Sequence, residues 1–165
     1  MIGKLTFIAA LALAPAAFAQ DPAHYPGEEA VEAYTPSAAN AGAAPFEGDA
    51  MYVAFGSEAG VARIVDRMLD LSVADPRIAG IFAATDMVRL RRTLKEQFCY
   101  ILGGGCTYTG RSMADAHDDI GLQPADFGAL VEHLQAAMTA EGVPFHTQNR
   151  FLAKLAPMRR DTVTR

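Results

Sequence analysis

The 165-residue chain is poor in the residues that build redox, metal and hydrolytic centres, with two cysteines and four histidines. Cys99 and Cys106 form neither a CxxC redox pair nor a CxxCH attachment sequence. The histidines have no zinc-site spacing, and no serine or cysteine stands in an evident nucleophilic context with a partner histidine. Cationic side chains are outnumbered, 14 against 19, for a formal net charge of −5. That balance argues against nucleic acid as a partner. The stretch Gly105 to Ser112, GCTYTGRS, misses the phosphate-loop pattern. Arginine replaces the lysine that would reach phosphate, and a helical pattern precedes it where a strand is required. Beyond the first twenty residues no apolar run approaches membrane-spanning length. Period-two alternation and internal repeats are lacking, so a sheet is not expected.

What is present begins with MIGKLTFIAALALAPAAFAQ. Lys4 precedes an apolar run from Leu5 to Leu13, and Ala17-Phe18-Ala19 offers the small residues that a signal peptidase reads. Residues 1–19 are therefore expected to be a cleaved signal peptide, placing the mature protein in a periplasm or outside the cell. Residues 20–50 are rich in Ala, Pro, Gly and Glu and lack a sustained apolar period. They read as a flexible linker, with His24, Glu28 and Glu29 solvated. Residues 51–165 suit one small domain with one core.

Within that domain every apolar pattern is helical. Ser57 is placed to cap a helix whose inward face is Val61, Ile64, Val65, Met68, Leu69 and Ser72. Asp75-Pro76 stops it, and a short turn carries Ile78, Ile81 and Phe82. Asp86 caps a second helix with Met87, Leu90, Leu94, Phe98 and Ile101 along one stripe. Arg89, Arg91, Arg92 and Lys95 fall beside that stripe, as a solvated face or as a rim for an acidic ligand. Gly103 to Gly105 end this helix. Pro124 opens a third, with Phe127, Leu130, Val131, Leu134 and Met138 inward and His133 at its edge. Pro144 opens the last, where Phe151, Leu152 and Leu155 face inward. The expected class is all-α.

The chain is organised around FCYILGGGCTYTGRSMADAHDDI, residues 98–120. The glycines let the loop fold back, so His117 on a short helix faces the stripe of Leu90, Leu94 and Phe98, with Phe82 entering from the preceding turn. One basic nitrogen opposite hydrophobic walls suits a flat, apolar, metal-bearing ligand with acidic edges, such as haem. A histidine of purely structural use fits the same spacing. Two cysteines in an exported chain are expected to pair with each other.

These motifs resemble the group I truncated haemoglobins, small globins built as a two-over-two helical sandwich. The resemblance runs from about Tyr52 to Pro157. It is carried by Tyr52-x-x-Phe55-Gly56, Val73-Ala74-Asp75-Pro76-Arg77, Phe82-x-x-Thr85-Asp86-Met87, Gly103-Gly104-x-Cys106-x-Tyr108-x-Gly110-Arg111, Met113-x-x-Ala116-His117 and Phe127-x-x-x-Val131-x-His133-Leu134, then Gly142-Val143-Pro144. It implies non-covalent haem b with His117 as the proximal iron ligand. Phe82 would wedge against the ring, Leu90 and Phe98 would line its distal side, and Met113 would lie beneath it. Thr85, Arg89 and Tyr108 would approach the propionates. Many relatives carry a tyrosine and a glutamine that hydrogen-bond bound oxygen; here the matching residues are Leu69 and Leu94. The distal pocket, with Met68 and Gln97 beside those leucines, is therefore expected to be apolar and the iron five-coordinate. Met68 is the one nearby side chain able to act as a sixth ligand.

Three functions follow as expectations. The first is reversible binding of O2, NO or CO. The second is a haem enzyme for NO detoxification or peroxidase-like chemistry, which lacks a distal acid–base group and has an unknown electron donor. The third is a haem-free helical interaction module.

Overall fold

The computed structural model describes residues 25–165; the expected signal peptide and His24 lie outside them. The described residues hold helices and turns with no strand. The helices are α1 (Ala50–Ala54), α2 (Ser57–Ala74), α3 (Met87–Ile101), α4 (Met113–His117), α5 (Pro124–Ala140), α6 (Phe145–Leu155) and α7 (Arg159–Thr162).

Helix α2 is the centre of the stack, packing on α3 along one side and on α5 along the other. The reason lies in its sequence: Val61, Ile64, Val65, Met68 and Leu69 recur at helical spacing and are all buried. Phe151 of α6 closes the core, its ring edge-on to Phe55 at 5.1 Å and to Phe98 at 4.9 Å between centroids. Each such ring contributes about 1.5–3 kcal/mol on burial. Gly60 lets the end of α1 lie against α2, since a Cβ there would collide with the Phe55 carbonyl. Ser57 does not cap α2. Gly56 holds the cap position at φ 79°, and the turn is tight enough that Ser57 itself has φ 56°.

A polar pin joins α2 to α5. The His133 ring places Nδ1 3.0 Å from Ser72 Oγ and Nε2 3.0 Å from Asp75 Oδ2. His133 is thus buried between two helices rather than lying at an edge. Asp75 in turn accepts from Arg77, whose guanidinium donations hold the Asp75 carboxyl down at about 2.

Residues 25–50 do not form a flexible tether. They run as a strap over α3 and the glycine loop. Glu28, expected in solvent, has a side chain only 1% exposed and takes a two-pronged contact from Arg92, at 2.5 and 3.0 Å. Arg92 also lies 3.7 Å from the centroid of the Tyr25 ring. Tyr34 donates to the Thr109 carbonyl at 2.9 Å, and Asn40 to that of Gly110 at 3.2 Å. Phe46 N–H donates to Ile101 O at 2.8 Å, at the end of α3. Composition concealed this packing because the strap is held by backbone carbonyls and charged partners rather than by an apolar stripe.

Candidate functional site

Ser112 caps α4, accepting the Asp115 N–H at 3.1 Å and donating to the Asp115 carboxylate at 2.7 Å. The short helix is backed by α7. Beyond it the N–H groups of Thr164 and Arg165 both donate to Leu122 O, at 3.1 and 3.2 Å. His117 ends α4 half-buried, its Nδ1 2.6 Å from the Met113 carbonyl. A carbonyl only accepts, so Nδ1 carries the proton and Nε2 presents a bare lone pair.

Two cavities, of about 230 and 310 Å³, meet at that imidazole. His117, Met113, Leu94, Gln97, Phe127, Leu130 and Thr162 line both. Leu69, Phe82, Thr85, Leu90 and Tyr108 line the first alone; Met68 and Phe98 line the second alone. Eleven of the expected residues thus surround the paired cavities. Arg89 lines neither. Its guanidinium turns instead to the strap, where it pairs with Glu28 at 3.5 Å and donates to the Glu29 carbonyl. The reason is electrostatic: Glu28 is buried directly over α3 and needs cationic partners.

The polar groups on the walls are spoken for. Thr85 donates to Ile81 O at 3.3 Å, Thr93 to Arg89 O at 2.9 Å and Thr162 to Met158 O at 3.1 Å. Tyr108 donates to Arg111 O at 3.0 Å, and burial pushes its phenol well above the usual range. Gln97 donates to Ala41 O at 2.9 Å. Every hydroxyl and amide donor lining the cavities therefore faces a backbone carbonyl, and the remaining walls are aliphatic, aromatic or thioether. Asp126, at the first cavity's edge, accepts the Gln123 N–H at 2.8 Å.

A flat apolar ring carrying a metal fits this site, because a bare imidazole nitrogen stands in an otherwise unreactive slot. The sequence shows most of the wall directly. It does not mark Thr93 or Thr162, whose places on the wall follow from helix phase and from α7 folding back, nor Ala41, which the strap places behind Gln97. No local pattern signals any of these.

The backbone-adjacent pair Cys99 and Cys106 flanks the glycine loop with Cα atoms 5.7 Å apart, within the range a disulfide spans. Gly104 makes this close approach feasible, since a Cβ there would sit 2.7 Å from Cys99 Sγ and 2.8 Å from the Tyr52 ring.

The model of the bacterial-like globin family matches residues 50–164. A group 1 truncated hemoglobin of Mycolicibacterium paratuberculosis is 32% identical over 114 residues, covering 69% of this chain and 84% of the relative. One from Synechocystis is 34% identical over 98 residues, covering 57% and 79%. Among solved structures, the truncated hemoglobin from Tetrahymena pyriformis in its Fe(III) form superposes with a TM-score of 0.67 at 27% identity, covering 70% of this chain and 98% of that one. The 2/2 hemoglobin from Synechococcus, in the cyanomet state with covalently attached heme, gives 0.64 at 26%, covering 70% and 98%.

Proposed function

Because this chain belongs to the bacterial-like globin family, we propose that it is a haem b protein that binds diatomic gases reversibly at a five-coordinate iron with an apolar distal side. Haem-based gas binding in general is the property of the family. The finer reading rests on one observation, that every hydroxyl and amide donor on the cavity walls is already committed to a backbone carbonyl.

His117 Nε2 would hold the iron, with the Met113 carbonyl fixing the imidazole's tautomer through Nδ1. Bound there, haem supplies an iron with an open coordination position for O2, NO or CO. Phe82 and Leu90 would pack the ring on one side and Met113 on the other, while Thr85 and Tyr108 border its polar edge. Leu69 and Leu94 offer no hydrogen bond to a bound gas and no proton to a reacting one, which favours carriage or sensing over peroxidase-like or NO-detoxifying turnover. Such turnover would also need an electron donor of unassigned chemistry.

Attachment is read as non-covalent, since pairing of Cys99 with Cys106 would leave neither thiol free for the ring. That pairing and the leader sequence belong to one reading, export to a periplasm or beyond. Among the described residues no helix is long and apolar enough to cross a membrane. The acidic balance leaves nucleic acid outside the expected partners.

The absorption spectrum of purified protein tests the proposal. Wild type is expected to show the bands of a histidine-ligated ferrous haem, and His117→Ala to lose haem or that signature. A His117→Ala protein that kept the wild-type ferrous spectrum would overturn the assignment; a spectrum with no haem bands on reconstitution would favour the haem-free module.

A further inference from the structure

Gln97 is the one buried amide on the cavity walls, 4% exposed and lining both cavities. In an apolar gas site it is the natural candidate to donate a hydrogen bond. Its nitrogen is 2.9 Å from the Ala41 carbonyl, which only accepts, so the NH2 group is the end turned to the strap. The same nitrogen lies 3.4 Å from Met113 Sδ and 4.0 Å from Met158 Sδ. One amide proton is thus taken by a carbonyl and the other faces thioether sulfur, a weak acceptor. Neither proton is free for a ligand in the cavity.

The carbonyl that captures Gln97 belongs to a 3-10 turn, Ala38–Ala41, capped by Ser37 and closed at Gly42 with φ 79°. A Cβ at Gly42 would lie 2.9 Å from Met113 Cγ and 3.0 Å from Met158 Cε, so glycine lets the strap seat against both methionines. This turn lies outside residues 50–164, the span that the family model matches. We propose that residues 38–42, which stand behind Gln97 and line neither cavity, are a specificity-determining support of the gas site, withholding the Gln97 amide from the bound gas and so keeping the distal side apolar. The inference rests on the haem-binding reading above.

Three anchors tie the strap down away from the cavities: Glu28 to Arg92, Tyr34 to Thr109 and Asn40 to Gly110. Releasing them with Glu28→Gln, Tyr34→Phe and Asn40→Ala together leaves every cavity-lining side chain in place. The first measurement needs no haem: exchange of the Gln97 side-chain amide protons by NMR in the full chain. Protection is expected in wild type and its loss in the triple variant. Equal, fast exchange in both would overturn the capture. The second is the C–O stretch of the carbon monoxide complex, which falls when a donor approaches the gas. Wild type and Gln97→Leu are expected to give the same high frequency. The triple variant is expected to fall below it and to release oxygen about ten-fold more slowly, the step worth about 1.4 kcal/mol. Adding Gln97→Leu to the triple variant should restore the wild-type values.

A shift caused by Gln97→Leu alone would mean that the amide already reaches the gas, and would overturn the proposal. So would a triple variant with exposed amide protons and an unchanged stretch. Absence of haem bands in the wild type would instead remove the function reading, and the specificity role with it, while the exchange data would still report whether the strap holds Gln97.

Discussion

At the scale of single residues, the proposed distal chemistry turns on Leu69 and Leu94. Both line the first cavity, and neither carries a donor. Bound oxygen draws electron density, so one hydrogen bond to it contributes on the order of 1.5–3 kcal/mol, as for other bonds to charged groups. Carbon monoxide is less polar and gains less. Leu69→Tyr or Leu94→Gln should therefore slow oxygen release by about ten-fold or more while changing carbon monoxide release much less. Stopped-flow dissociation of both gases measures it, and slow wild-type oxygen release untouched by either variant would contradict the apolar reading. These positions were legible in the sequence because they sit on regular helical stripes of α2 and α3, where spacing alone sets the direction of a side chain. The strap contacts of Arg89 are not legible in that way. It also sits on α3, but a partner remote in sequence, Glu28, decides where its long side chain goes.

At the scale of elements, α2 and α5 are joined by apolar packing and by the Ser72–His133–Asp75 pin. His133→Leu would remove the imidazole from Ser72 Oγ, which keeps its 2.8 Å bond to the Met68 carbonyl, and from Asp75, at a loss of about 1 kcal/mol, read as a lowered thermal midpoint. The pin is pH-sensitive through Asp75. Its folded-state pKa of about 2, set first by the Arg77 side chain, lies below the ordinary 3.8. Folding therefore favours the ionised form, so this contribution is present above about pH 4 and is lost as pH falls toward about 2. Asp75→Asn should flatten that part of an acid-denaturation profile. An unchanged profile would remove Asp75 from the account. Asp86 is held the same way at the start of α3. Burial opposes its charge, yet the N–H groups of Arg89, Glu29 and Val88 keep its carboxyl below the usual range. One of those donors, Glu29, comes from the strap. The helices are legible from period and caps, whereas the strap is not, since its bonds reach partners on α3 such as Gln97 and Ile101 that are remote in sequence, with no local period to betray them.

At the scale of the whole molecule, the cysteine pair would close a short loop between α3 and the segment carrying His117. Closing so short a loop stabilises the fold by about 2–3 kcal/mol in the chain-entropy account. Mass spectrometry of exported, unreduced protein should find Cys99 and Cys106 resistant to alkylation, and Cys99→Ser should lower the thermal midpoint only under oxidising conditions. Two freely alkylated thiols in folded protein would count against the pairing. Both remote ends of the described chain converge on the same segment. The strap grips Thr109 and Gly110 just before α4, and Thr164 and Arg165 grip Leu122 just after it. The pocket around His117 is therefore completed only when segments remote from it in sequence, on both sides, have been seated. On the export route proposed above, that requirement would place cofactor capture after translocation.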